Sequence, residues 1–323
     1  MSPSNGDGSA ALPTFAALDT RAVLERERRG ASIQLDTNYF RGQELALQAV
    51  EASSITERRN VASRSREFYR QIQVDFDSFT RENLESASAK FRRVLQQIPE
   101  VQYLKRNFPE TCFVVPEWLR AGGNVNYGGR LYFFRDEDAP EPTEILQRNI
   151  EAVMNDDRAG FEQYQGVLHG YPACCVDYFS DYERRAETGP ELEAVETIAD
   201  CINTDMIRDD VDRSVSIEEI VDGIFEIPQV YAFFTREFYP EPRCERARRQ
   251  GVSIYETLCK TYPEDLVKDH FRINVAWSYL MAKATMPENR QTDRPVPGSL
   301  GREHLLFYLP LSMTVTTPQY RRD

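Results

Sequence analysis

Asn124-Val125-Asn126-Tyr127-Gly128-Gly129-Arg130-Leu131-Tyr132-Phe133-Phe134 is the stretch where the chain stops reading as an all-helical protein. Before it, apolar residues recur at three- and four-residue steps. Here β-branched and aromatic side chains crowd around two glycines. Such side chains suit a pleated, half-buried surface, and a Gly-Gly pair takes turn dihedrals that other residues resist. The run is expected to form two strand arms around a turn at Gly128-Gly129. Just upstream, Thr111-Cys112-Phe113-Val114-Val115 reads as a short strand for the same reason. With helical patterns on both sides, the expected class is α+β: predominantly helical with a small, mainly antiparallel sheet.

Upstream of these strands, Phe15 to Pro99 reads as helical. Leu45, Ala49 and Val50 form one apolar stripe, and Phe68, Ile72, Phe76 and Phe79 a second. Leu84, Phe91, Val94, Leu95 and Ile98 form a third. Asp77 or Ser78 is expected to cap the last helix and Pro99 to end it. Met1 to Pro13, rich in Ser, Gly, Asn and Pro, reads as a disordered tail. The expected organisation is a tail over 1–14, a helical region over 15–100 and a mixed α+β region over 101–323.

Downstream, Thr143 opens a helix with Ile145, Ile150 and Val153 on its apolar face. Pro190 to Met206 reads as helical, and Ser216-Ile217-Glu218-Glu219 has the form of a capping box. Ile227 to Tyr239 is apolar and aromatic, a strand or a buried extended segment. Cys244 to Lys260 and Glu264 to Lys283 read as two helices. Met286 to Arg302 reads as a polar loop, and Leu305 to Val315 as a β-like run broken by Pro310.

Composition narrows the function classes. The chain has 323 residues, 41% of them hydrophobic, enough for a sizeable core in one or two domains. Its formal charge is -13, and of 39 basic residues only five are lysines. That composition resembles salt-adapted proteins, whose carboxylate-rich surfaces stay hydrated in concentrated salt. A net negative surface repels phosphates, which disfavours broad nucleic-acid binding. Anion or RNA binding through the arginine-rich Arg58–Arg70 is disfavoured on the same ground, and a solvated helix face is the plainer reading. No stretch approaches the roughly 18 apolar residues of a membrane span, and no secretory signal opens the chain. Six cysteines without an export signal read as reduced thiols in a cytoplasmic protein.

The sharpest chemical signal is His169-Gly170-Tyr171-Pro172-Ala173-Cys174-Cys175-Val176-Asp177-Tyr178-Phe179. Gly170 permits a tight turn, and Pro172 fits the first turn of a helix. Cys174 and Cys175 then fall in or beside that first turn. Free N–H groups and the positive end of the helix dipole act there, which favours thiolate. Consecutive helix positions stand about 100° apart, so one thiol can face a pocket while the other packs inward. The competing reading is two buried cysteines acting as small apolar side chains. A vicinal disulfide is the strained third case.

A second segment has similar logic: Phe238-Tyr239-Pro240-Glu241-Pro242-Arg243-Cys244-Glu245-Arg246-Ala247. Prolines lead in, Cys244 stands at a helix start, and Glu241 offers a hard ligand or an acid–base group. Together, Gly-Tyr-Pro-x-Cys-Cys-Val-x-x-Phe and the later aromatic-Pro-x-x-x-Cys-Glu-x-Ala resemble an archaeal and bacterial family designated domain of unknown function 483. The resemblance spans about Gly166 to Tyr255. That family's second motif reads Pro-Cys-x-x-x-Cys, and here Glu241 stands in place of its first cysteine. The resemblance implies a site at these residues and no particular reaction.

The expected site is a zinc or iron centre built from Cys174, Cys175, Cys244 and His169, since three thiolates and an imidazole make an acceptable tetrahedral set. Cys174 or Cys175 would be nucleophile or ligand and His169 base or ligand. That describes a thiol- or metal-centred enzyme of unstated reaction. The alternative is a non-catalytic structural or adaptor protein with core or metal-stabilising cysteines. Cys112, Cys201 and Cys259 read as core, His270 as a surface histidine, and His304 carries no assigned role. The phosphate-loop, dinucleotide, nucleophile-elbow, kinase and H-E-x-x-H signatures are missing.

Overall fold

A computed structural model describes residues 14–35, 80–107, 111–121, 124–135, 138–183, 190–203, 221 and 223–284. The expected tail, the stripes over 45–50 and 68–79, and the arginine-rich 58–70 lie outside the described residues. So do the capping box at 216–219, the loop over 286–302, His304 and the run over 305–315. The described part is α+β and mostly helical. Its elements are α1 (Thr14–Leu24), β1 (Gly30–Leu35), α2 (Arg81–Leu95), α3 (Pro99–Asn107), β2 (Cys112–Ala121) and β3 (Asn124–Phe134). There follow α4 (Pro142–Asn155), α5 (Arg158–His169), α6 (Ala173–Glu183), α7 (Pro190–Glu196), α8 (Glu245–Cys259) and α9 (Glu264–Ala284). No helix among the described residues is long and apolar enough to cross a membrane.

The sheet has the order β1-β3-β2 and is antiparallel throughout. Its central strand, β3, is the stretch that decided the class, and it is one continuous strand. The expected turn at Gly128-Gly129 does not form: these glycines pair with Glu117 and Pro116 of β2, and Gly129 also with Leu35 of β1. A side chain on Gly129 would overlap Leu95 of α2, so the glycine serves close helix–sheet packing. Pro116 is tolerated because β2 is an edge strand. Asn149 of α4 covers that edge: its amide accepts from the Trp118 N–H (2.8 Å) and donates to the Trp118 carbonyl (3.0 Å). On the face carrying Tyr132 and Phe134, Ile145, Phe161 and Leu168 of α4 and α5 pack down.

Three other expectations change. The stretch from Phe15 to Pro99 is interrupted by β1, whose Gly30 packs directly under the Phe134 ring. Thr80 caps α2, accepting from the Asn83 N–H at 3.2 Å; the expected caps, Asp77 and Ser78, lie outside the described residues. Pro99 opens a further helix, since α2 already ends at Leu95. The first turn of a helix needs no N–H from proline.

A second core gathers α1, α6, α7, α8, α9 and the segment between α7 and α8. Within it Ile227 to Tyr239, expected as a strand or buried extended run, is largely buried but opens with a 3-10 turn at Pro228–Ala232, just after another at Ile224–Glu226. Pro228 fixes φ and lacks a ladder donor, which suits a turn better than a strand. A buried polar knot ties α1 into this core. Asp19 accepts from Arg28 (2.9 Å) and from Thr235 (3.0 Å), and Arg28 lies over the Tyr171 and Phe234 rings. His270 belongs to the knot, 3.3 Å from the Phe234 carbonyl and 3.8 Å from Asp19. The expectation of a surface histidine is corrected: α9 lies inside this core, and His270 is 1% exposed.

Helix α8 lies against the 3-10 turn so closely that a side chain on Gly251 would overlap the Tyr231 carbonyl. Backbone cannot swing aside as a flexible side chain can. Gly251→Ala is therefore expected to destabilise the protein by about 3 kcal/mol, the upper range for overpacking, measured as a lowered urea midpoint at unchanged slope.

Candidate metal centre

The cysteine pair is positioned by a helix–turn–helix. Helix α5 ends at His169, and Gly170 takes the left-handed conformation (φ 73°) that closes the helix. Pro172 stands just before α6, and its carbonyl accepts the N–H groups of Cys175 (2.9 Å) and Val176 (3.1 Å). Cys174 and Cys175 thus occupy the first turn of α6. Cys175 is fully buried and Cys174 half-buried, the division of facing expected for neighbouring helix positions.

The second segment is a tight turn. The Cys244 N–H donates to the Glu241 carbonyl at 3.0 Å, with Pro242 and Arg243 between them. Proline at the second position and a positive φ at the third (Arg243, 61°) make this a type II turn. An arginine in that conformation costs roughly 1–2 kcal/mol relative to glycine. Cys244 is the N-cap of α8 and makes no side-chain cap bond, so its sulfur faces another task.

Aromatic residues of the two segments hold them together. The Tyr171 and Phe238 rings sit 4.5 Å apart, and the Phe179 and Tyr239 rings stack at 6.3 Å. Each such pair contributes roughly 0.5–1.5 kcal/mol beyond the area it buries. Gln250 of α8 adds a polar tie, donating to the Gly170 carbonyl at 3.1 Å. The outcome is that Cys174 and Cys244, 70 residues apart, bring their Sγ atoms to 3.5 Å. One donor atom each from Cys174, Cys175, Glu241 and Cys244 lies within 4.8 Å of every other. With zinc–sulfur bonds of about 2.3 Å, the edge of a tetrahedral site is about 3.8 Å. The spacing therefore fits one ion.

Burial opposes ionisation of these thiols. The Cys174 thiol is pushed up, by desolvation first and then by its contact with Cys244. The Cys175 thiol is pushed up strongly, again by desolvation. A backbone hydrogen bond from Glu241 opposes that rise, and Cys244 and Cys174 add to it. The expectation that the helix start favours free thiolate is corrected here, because the dipole at a helix end is outweighed by an apolar surround and two neighbouring sulfurs. A bound cation reverses the balance, since a coordinated thiol is deprotonated outright.

Cys174, Cys175 and Cys244 are thus brought together as expected. His169 is not among the donors, and Glu241 supplies the fourth. The reason is the end of α5: the His169 ring lies against Tyr132 (6.1 Å) and Tyr171 (5.4 Å), over the sheet. Its Nε2 is buried with no hydrogen-bond partner among the described residues. Cys112 and Cys201 are core, with thiols pushed up to about 12 and about 11 by burial, and Cys259 is half-buried. The signal for Glu241 was in the sequence: Pro-x-Pro before a helix start folds a carboxylate back toward the cysteine three residues on. No family model, curated protein or solved structure matches the chain.

His169 and His270 are both fully buried and both held below the ordinary imidazole value of 6.5, chiefly by desolvation. For His270 the nearby Asp19 pulls the other way and loses. Each histidine therefore binds fewer protons folded than unfolded. The stability this protects is complete above about pH 6.5 and is lost as pH falls from there toward the folded value. Urea titrations from pH 7.5 to 5 should show stability dropping by about 1.4 kcal/mol per pH unit for each histidine. A His169→Gln/His270→Gln variant should flatten that slope.

Proposed function

We propose that this chain is a metal-binding protein in which Cys174, Cys175, Glu241 and Cys244 hold one zinc-type divalent cation. The carrying observation is that four donor atoms, from two segments far apart in sequence, lie within 4.8 Å of one another. Three sulfurs and a carboxylate fill a tetrahedral site. Full protein ligation is the pattern of a structural centre, whereas a catalytic one keeps a position open. The cation would join the start of α6 to the start of α8. The elevated Cys174 and Cys175 thiols weigh against a metal-free thiol nucleophile. The reading is therefore the non-catalytic, metal-stabilised one. Iron(II) suits the same donors, and metal analysis separates the two ions.

Protein purified without oxygen should carry about one equivalent of zinc or iron by plasma mass spectrometry. A Cys174→Ser/Cys175→Ser variant should carry none. Glu241→Ala should weaken binding by at least tenfold, since even outer partners of ligands contribute 10–100-fold. His169→Gln should keep the metal. Chelation of the parent should lower its melting temperature and leave the double variant unmoved. A parent protein free of metal, and indifferent to added zinc, overturns the proposal.

A further inference from the structure

We propose that Cys174 and Cys244 form a reversible oxidation site for hydroperoxides, and that their oxidation ejects the cation; this second part rests on the metal-centre reading above. The two sulfurs are 3.5 Å apart. A disulfide needs about 2.05 Å, a closure within reach of side-chain rotation. Cys244 gives up no capping bond to make it. Of the other two pairs, Cys174 with Cys175 would close a strained ring between chain neighbours, and Cys175 with Cys244 joins two buried sulfurs. Exposure sets the order of events. Cys174 is the half-buried sulfur, reachable from solvent, while Cys175 and Cys244 are buried.

The step balances as follows. Cys174 reacts as its thiolate, the nucleophilic form, which a bound cation would favour. It attacks one oxygen of the hydroperoxide, the O–O bond breaks, and the product is Cys174 sulfenic acid with hydroxide or alkoxide leaving. The Cys244 thiolate attacks that sulfur, the S–O bond breaks, and hydroxide leaves with formation of the disulfide. Two electrons pass from the two sulfurs to the peroxide. Only Cys175 and Glu241 then remain as donors, too few to hold the ion. A small thiol restores both sulfurs by exchange.

The test treats anaerobically purified full-length protein, its metal content already measured, with one to five equivalents of hydrogen peroxide. Released metal is read with a chromogenic chelator and disulfides are mapped by mass spectrometry. The expected result is loss of two of the six free thiols, a Cys174–Cys244 linkage with Cys175 still reduced, and one equivalent of metal released. Dithiothreitol and zinc should restore the starting state. Cys244→Ser should form no disulfide and should yield a dimedone adduct on Cys174. Should that variant not fold, the parent's disulfide map decides alone. A Cys174–Cys175 linkage, or metal release without the Cys174–Cys244 bond, overturns the proposal. Protein that binds no metal yet forms the Cys174–Cys244 disulfide would overturn the metal centre and leave the oxidation site standing.

Discussion

The contact between Gly251 and the Tyr231 carbonyl sets where α8 can lie, and the candidate centre depends on that placement. A helix seated on backbone by a glycine has little freedom to slide. Cys244 is the N-cap of that helix, so its height is fixed with it. Nearly two turns on from Cys244, Gln250 donates to the Gly170 and Glu27 carbonyls, and Ser253 and Thr257 donate to the Glu27 carboxylate at 2.6 and 2.8 Å. The same helix face thus positions both the turn before α6 and the turn before β1. The sheet and the helical core meet through these bonds, and the two cysteine segments meet because α8 touches both.

Electrostatics and packing compete at the place where these elements converge. Cys174 and Cys175 stand in the first turn of α6 and Cys244 at the start of α8, where helix dipoles stabilise negative charge. Burial among Tyr171, Tyr239 and the apolar core does the opposite, and for Cys174 and Cys175 burial wins. Neither force alone explains why three thiols should be gathered at one point. As small apolar side chains they would pack equally well apart, and as free thiolates they would repel. The proposed cation would make the two forces agree, because it would supply the charge that the apolar surround withholds.

Much of this was legible in the chain, for reasons that differ by element. Helices α4, α8 and α9 announce themselves by period, and the glycine, proline and cysteine order around 170–175 states a turn followed by a helix start. Gly128-Gly129 carries the local signature of a hairpin turn, and only the position of Leu95, fixed by tertiary packing, explains a glycine at 129 in mid-strand. Strand β1 was missed because Gly30–Leu35 is short and gains its definition from pairing with β3. His270 was misplaced since a helix buried on most sides keeps no polar face from which to judge exposure. His169 stands close to the cysteines in sequence, which is the whole of its signal as a ligand. Sequence proximity could not reveal that Gly170 turns the chain between them.

Glu241 as the fourth donor of the proposed centre also has a charge argument. Three thiolates and one carboxylate around a divalent ion leave a net charge of about -2 on the centre. Two helix N-termini, each equivalent to roughly +0.5, offset about half of it. The remainder must be solvated. Among the four donors, Glu241 and Cys174 reach the surface while Cys175 and Cys244 do not. A carboxylate keeps one oxygen free for water when the other binds the ion, so it carries the residual charge to solvent where a buried sulfur could not. The type II turn that holds Arg243 in a disfavoured conformation links Glu241 to Cys244, so the half-buried carboxylate and the buried thiol stand on one short stretch of chain. An anionic centre between two helices would need a wet edge, and in the proposed centre Glu241 and Cys174 would provide it.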